Sequence, residues 1–143
     1  MTRDRARAVA VLSTVAIVGG AAGTINALGA ELFADRGAQL LRLYAVNTFG
    51  GLVTVVGGLI GVGGFALRSK ALAGLAGLLF LGVAGISLIA LGQTYNLFGG
   101  RASTLTLWLM LGVGFTALAA SPEVVGATGP ESDEPMVSES RAG

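Results

Sequence analysis

Residues 48–65 read TFGGLVTVVGGLIGVGGF, a stretch without a charged residue in which glycine recurs every few positions. With the apolar residues that flank it, the run reaches the roughly 20 residues that cross a hydrocarbon core of about 30 Å. Lipid offers unpaired backbone groups no hydrogen-bond partner, so an uncharged run of this kind is expected to be an α-helix. The stretch therefore predicts a membrane-spanning helix.

The rest of the chain repeats this pattern. Hydrophobic residues make up 53% of the 143 residues and charged residues 12%, whereas a typical soluble domain has about 25% charged residues. The charges lie at the ends and in short connections, which leaves four apolar stretches, at 8–30, 43–66, 71–92 and 103–120. We predict an all-α fold, an integral membrane four-helix bundle over residues 8–120.

Two terminal segments flank the predicted bundle. Residues 1–7 carry three arginines and predict a basic cytoplasmic N-terminus. A secretory signal peptide is the alternative, but its apolar core of about 7 to 15 residues is shorter than the run found here. Residues 121–143 contain three prolines and five acidic residues, and such a composition predicts a disordered acidic cytoplasmic tail.

Lysine and arginine are unevenly distributed between the two sides of the predicted bundle. Basic residues are in excess on the cytoplasmic side of membrane proteins, so the side that has five rather than three is predicted to be cytoplasmic. The chain is then a multi-pass protein of the cell membrane with both termini in the cytoplasm. The five inner basic residues are Arg3, Arg5, Arg7, Arg68 and Lys70, and the three outer ones are Arg36, Arg42 and Arg101.

The connections between spans differ in length. The inner turn at residues 67–70 is so short that spans two and three must be antiparallel neighbours. The outer connection at residues 31–42 mixes apolar and polar positions and predicts a short interfacial segment. Tyrosine and tryptophan favour the headgroup level, where Arg36 and Arg101 are also expected. The aromatic residues predicted at this outer interface are Tyr44, Tyr95 and Trp108.

Glycines are spaced along the spans so that several share a helix face. Small residues four apart let two helices approach closely in lipid, which favours helix packing at these positions. Packing of the bundle on itself is one interpretation, and a face for dimerisation or partner docking is the other. The predicted packing residues are Gly19, Gly23, Gly50, Gly57, Gly61, Gly64, Gly74, Gly85 and Gly92.

Amide side chains gather near the predicted outer ends of the first three spans. They are Asn26, Asn47, Gln93 and Asn96. Polar side chains at this depth can join helices by hydrogen bonds. Alternatively, they line a polar vestibule that accepts a lipid headgroup or a small solute.

The sequence lacks the side chains of most common active sites. Cysteine and histidine are absent, and no Lys, Arg, Asp or Glu lies well inside a span. Most transition-metal and haem sites, and most acid–base chemistry near pH 7, therefore lose their usual residues. We expect no catalytic residues, no metal and no cofactor, and a net charge of +1 gives no reason to expect a nucleic-acid partner.

Two outer connections have similar sequences. ALGAELFADRGAQLL begins at Ala27 and ALGQTYNLFGGRASTL begins at Ala90. A duplication of a two-helix unit would produce such an echo and would make the bundle two tandem helical hairpins. The matched residues are Leu32 with Leu97, Phe33 with Phe98, and Arg36 with Arg101.

The order of spans and connections, with a Gly-rich second span, resembles a family of small four-span bacterial membrane proteins of unknown function. The segments that carry the resemblance are RLYAVNTFGGLVTVVGGLIG and STLTLWLMLGVGFTAL, at the starts of spans two and four. The family has a repeated Asn and His signature there. This sequence has no histidine, so Asn47 is the one site residue that corresponds. The resemblance implies the four-span architecture and no particular activity.

These observations favour a non-enzymatic integral membrane protein, a structural or accessory unit of the lipid bilayer. It would pack with itself as a homo-oligomer or with a larger membrane complex. The alternative is a small carrier or channel whose entrance is the polar vestibule. An intramembrane enzyme is a third class, and the missing ionisable side chains disfavour it.

Overall fold

The computed structural model describes residues 1–28, 38–40, 44–90, 97–98 and 101–122, and of residues 38–40, 44 and 45 it describes the backbone. Each of its helices is long and apolar enough to cross a membrane, judged by length and composition. The predicted all-α, four-helix fold is confirmed. The helices are α1 (Arg3–Asn26), α2 (Thr48–Ala66), α3 (Lys70–Ala90) and α4 (Ala102–Ala120).

A short antiparallel ribbon precedes α2. Its strands are β1 (Ala38–Leu40) and β2 (Tyr44–Val46), with Ala38 opposite Val46 and Leu40 opposite Tyr44. The sequence predicted that span two begins at residue 43, but β2 occupies this region and α2 begins at Thr48. Two short extended segments can bond each other's backbone groups, so the chain is not forced into a helix before a capping residue is reached. Most of the predicted interfacial segment lies outside the described residues.

Helix α1 begins five residues before the predicted start at residue 8. Arginine is a good helix former, and the basic residues lie at the polar end of the span, so the helix can continue through them. Asp4 lies in the first turn, where the helix dipole favours a negative charge, and its carboxylate is 3.6 Å from the Arg7 guanidinium. The helix ends at Asn26 rather than at the predicted residue 30.

Three residues connect α2 to α3, and they form the expected tight helical hairpin. The amide of Ser69 donates a hydrogen bond to the carbonyl oxygen of Gly64 at 2.9 Å, and the amide of Arg68 donates to that of Phe65 at 3.2 Å. This pair of bonds is the Schellman arrangement, in which the residue after the helix is left-handed. Arg68 occupies that position with φ 49°.

The helices pack as two antiparallel pairs. Contacts are most extensive between α1 and α2 and between α3 and α4, fewer between α2 and α3, and fewer again between α1 and α4. The arrangement is that of two helical hairpins joined by the short α2–α3 turn. Of the echo residues in the outer connections, Leu97 and Phe98 are described, whereas 32–36 lie outside the described residues. Duplication of the hairpin stays a prediction.

Aromatic rings fill the interior, and aliphatic side chains cover the exterior. Trp108, Phe80 and Phe115 are the largest fully buried side chains, and the rings of Phe80 and Phe115 stack with centroids 6.0 Å apart. Large apolar residues point outward from all four helices, and Ile89 and Met110 are 79% and 69% exposed. Such a surface is unfavourable in water, so the described fold is compatible with a multi-pass membrane protein.

Arg5 joins the start of α1 to the end of α4. Its guanidinium donates to the carbonyl oxygen of Ser121 at 2.8 Å and to that of Pro122. Carbonyl groups at a helix C-terminus have no partner within the helix and carry partial negative charge, so a cation stabilises them. The two ends of the bundle domain therefore meet at one end of the structure.

Candidate functional site

Asn47 fixes the N-terminal end of α2. Its side chain is fully buried, and its Oδ1 accepts a hydrogen bond from the amide of Gly50 at 2.8 Å. Its side-chain Nδ2 donates a hydrogen bond to the carbonyl oxygen of Leu97 at 2.8 Å. The backbone amide of Asn47 donates to the carbonyl oxygen of Phe98 at 3.1 Å. Asn47 is therefore both the N-cap of α2 and a clamp on the connection that leads to α4.

A second buried polar link crosses the bundle from α4 to α2. The indole Nε1 of Trp108 donates a hydrogen bond to Oγ1 of Thr54 at 3.0 Å, and this hydroxyl donates to the carbonyl oxygen of Gly50 at 2.7 Å. Trp108 also meets Phe98 edge to face, with ring centroids 5.6 Å apart. The links made by Asn47 and Trp108 thus converge on Gly50 and on the Leu97–Phe98 turn.

The structure places the predicted vestibule residues differently from one another. Asn47 is buried with both side-chain polar atoms bonded to protein, whereas Asn26 is exposed as the last residue of α1. Gln93 and Asn96 lie outside the described residues. The structure brings Asn47 together with the turn at residues 97–98. The polar vestibule stays a prediction.

The predicted interface residues include one that the structure corrects. Trp108 does not face the headgroup level, because its side chain is fully buried and its N–H finds a partner in Thr54. A buried indole needs such a partner, and the sequence gives no sign of one because Thr54 lies on another helix. Arg101 is exposed and precedes α4 as its N-cap residue. The side chains of Arg36, Tyr44 and Tyr95 lie outside the described residues.

Backbones of α1 and α2 touch where two glycines face each other. A Cβ added to Gly51 would lie 2.9 Å from the amide nitrogen of Thr24 and 3.0 Å from the carbonyl oxygen of Gly20. A Cβ added to Gly20 would lie 2.8 Å from the carbonyl oxygen of Gly51 and from the amide nitrogen of Val55. Neither position has room for a side chain, so the crossing depends on both glycines.

Helices α3 and α4 cross in the same way. A Cβ added to Gly77 would lie 2.8 Å from the amide nitrogen of Thr116 and 3.0 Å from the carbonyl oxygen of Gly112. In each crossing a Gly-x-x-x-Thr segment packs against a glycine of the neighbouring helix, on α1 against α2 and on α4 against α3. The threonine hydroxyl of the segment donates a hydrogen bond to the carbonyl oxygen of the glycine four residues before it. The threonine lies on the first helix of one hairpin and on the second helix of the other.

The predicted packing glycines fall into several groups. Gly50, Gly57, Gly61 and Gly64 have no room for a Cβ without displacing a neighbour, and Gly23 is buried. Gly74 makes only an ordinary contact, at 3.4 Å from Cβ of Ala119. A Cβ added to Gly19 or Gly85 would meet no atom of the described structure within 4 Å, and Gly92 lies outside the described residues.

Several residues of the crossings were absent from the sequence prediction. The missed glycines are Gly20, Gly51, Gly58, Gly77 and Gly112. Counting threonine as a small residue would have found two of them, since Gly20-x-x-x-Thr24 and Gly112-x-x-x-Thr116 have the required spacing. Gly51 and Gly58 directly follow glycines with equally good spacing, so the sequence offered no reason to choose them.

We expect Asn47→Ala to lower the free energy of unfolding by about 2 kcal/mol, since it removes an N-cap and leaves the Leu97 carbonyl without its donor. Unfolding in mixed micelles, followed by helical circular dichroism, measures this loss. Asn47→Asp keeps the capping oxygen and should lose less. Asn26→Ala is the matched control, and as an exposed site it should stay within about 0.5 kcal/mol of the parent. A changed solute flux in vesicles at unchanged stability would instead favour the vestibule.

The chain has few side chains that could bind a metal ion, since it contains no histidine and no cysteine. Within the described residues no group of three His, Cys, Asp or Glu side chains lies close enough to hold a metal ion. Comparison with models of known protein families, with curated protein sequences and with solved structures finds no match.

Proposed function

We propose that this chain is a non-enzymatic integral membrane protein that acts as a structural or accessory unit, packing with itself or with a larger membrane complex. One observation carries the proposal: large apolar side chains point outward from all four helices, while the described interior is filled by close helix contacts. Leu78 on α3, Leu59 on α2 and Met110 on α4 are examples of this outward surface, each more than half exposed.

The bonding of the interior supports the same proposal. Two of the buried polar contacts are the Trp108–Thr54 pair and the Ser13 hydroxyl, which donates to the Val9 carbonyl oxygen at 2.7 Å. Among the described residues, the buried Ser87 hydroxyl has no hydrogen-bond partner. Glycine contacts between backbones leave little space along the helix crossings. The surface that remains for interactions is the outside of the helices, where apolar side chains favour lipid or another helix.

The outward surface has two contrasting faces on α3 and α4. On α4, Leu109, Met110, Val113 and Gly114 line an apolar groove of about 390 Å³. On α3, Ile89 is exposed near the outer end. Another helix can approach a groove more closely than a surface with a protruding side chain such as Ile89. Contacts with a neighbouring subunit are therefore expected first on α4.

We also propose that the protein lies in the cell membrane with both termini in the cytoplasm. Three arginines of α1 lie at the same end of the structure as Arg68 and Lys70, because α1 begins where the α2–α3 turn lies. A single Ser69→Cys, in this chain without cysteine, should then react with a membrane-impermeant maleimide only from the cytoplasmic side. Labelling from the outside of intact cells would reverse this orientation.

Association is tested by gentle extraction, followed by mass measurement of the particle and identification of co-purifying proteins. We expect a particle heavier than the 14.2 kDa chain with its detergent or lipid. A Met110→Cys variant should cross-link within it, and Ile89→Cys on α3 is the matched control. A lone chain in lipid, with no adduct at either position, would contradict the proposal, as would a catalytic turnover that persists through purification to homogeneity.

A further inference from the structure

Three arginines line one cleft at the end of the bundle that carries the α2–α3 turn. The cleft has a volume of about 400 Å³ and lies between the start of α1 and the end of α2. Arg3 and Arg7 are four residues apart and so lie on one face of α1, and Arg68 reaches the cleft from the turn. Its remaining walls are Ala6, Phe65 and Ala66.

The positive charge of this cleft is largely unbalanced. Asp4 is the one carboxylate in the part of the chain that the structure describes; it pairs with Arg7 at the surface and is not among the lining residues. The side chains of Arg3 and Arg68 have no hydrogen-bond or ion-pair partner within the described residues. Like charges in a common cleft repel one another, so the site gains most from an anion that binds all three guanidinium groups.

The backbone at Arg68 gives an independent reason to expect a role for its side chain. In the described part of the chain it is the only residue other than glycine with a positive φ. Glycine adopts the left-handed conformation without steric cost and is the usual residue at this position of a Schellman motif. Arginine at this position has a steric cost that glycine would not have, so the turn by itself does not explain the choice of arginine. Arg68 is instead one of the residues that line the cleft.

We infer that this cleft binds the phosphate of an anionic phospholipid. The planar guanidinium group of arginine can donate two parallel hydrogen bonds to the oxygens of a phosphate. Basic pockets between membrane helices are suited to anionic lipid headgroups. Phe65 is 41% exposed and Val62, one turn earlier on α2, is 39% exposed, so an apolar track for an acyl chain leads away from the arginines. A free phosphate ion would leave that apolar wall without a partner. The inference rests on the proposed membrane location.

Native mass spectrometry of the full-length protein measures this binding, with phosphatidylglycerol and phosphatidylcholine offered at equal concentration. We expect the parent to retain phosphatidylglycerol preferentially. Arg68→Gly suits the left-handed backbone and should fold normally, yet it should weaken phosphatidylglycerol binding about five-fold, the effect of one basic residue at an anionic surface. Adding Arg3→Gln and Arg7→Gln should bring the loss to the order of 100-fold.

The controls separate this inference from its competitors. Arg101→Gln removes one positive charge at the opposite end of the bundle and should leave phosphatidylglycerol binding at the parent level. Equal retention of the two lipids, or an Arg68→Gly variant that binds like the parent, would overturn the inference. Equally effective competition by inorganic phosphate would overturn the lipid assignment. Recovery of the chain in lipid bilayer discs is scored separately, because its failure would reject the membrane location instead.

Discussion

Gly51→Ala is expected to lower the free energy of unfolding by about 2 kcal/mol, because the added methyl group meets backbone atoms of α1. The amide nitrogen of Thr24 and the carbonyl oxygen of Gly20 lie 2.9 and 3.0 Å from the new Cβ. Neither atom can rotate away as a side chain could, so the two helices must separate. Gly77→Ala should have a similar effect, since its new Cβ meets α4 in the same geometry.

The control for this prediction is Gly85→Ala, the same chemical change at a helical glycine with open space around it. Alanine is the better helix former, so this variant should be neutral or more stable by up to about 1 kcal/mol. Detergent-induced unfolding of the three variants and the parent, followed by circular dichroism, gives the comparison. Equal stability of Gly51→Ala and Gly85→Ala would show that the α1–α2 crossing is wider than described.

Trp108→Ala is expected to have the largest effect on stability, a loss of about 3 kcal/mol. It removes the largest fully buried side chain and leaves a cavity between α4 and α2. Thr54→Val keeps the volume but leaves the indole N–H unbonded, for a loss of about 1 kcal/mol. In a Trp108→Phe background the same Thr54→Val change should have almost no effect, because there is no N–H left to satisfy.

Fluorescence tests the burial of Trp108 directly, because it is the only tryptophan of the chain. Lipids brominated in the acyl chain quench tryptophans that face the bilayer, so a buried indole should be quenched weakly. A Trp108→Phe/Leu109→Trp variant moves the indole by one position to a side chain that is 41% exposed, and it should be quenched strongly. Strong quenching of the parent would show that Trp108 faces lipid and is not buried.

The sequence predicted the helices better than it predicted their ends. Length and hydropathy are enough to find four long apolar helices, and the tight turn at residues 67–70 followed from its shortness. The start of α2 depends on Asn47, whose partners Leu97 and Phe98 are about 50 residues away. Partners this distant leave no local signal.

The candidate site was predicted only in part, for a similar reason. Asn47 was singled out as a polar residue near the outer end of a span, but its burial and its capping bonds could not be read from its position. Trp108 was assigned to the interface because indoles favour headgroups, and the buried hydroxyl of Thr54 satisfies it instead. In each case the deciding contact is made with another helix.

The sequence by itself determined the number of long apolar helices, the apolar exterior and the absence of histidine and cysteine side chains. The tertiary structure decided which face of each helix turns inward: Gly20 rather than Gly19, and Gly77 rather than Gly85, face a neighbouring helix. A helix in water shows its inner face by its apolar stripe, but a helix that is apolar all round has no such stripe. Its rotation is set by close packing, and packing exists only between helices.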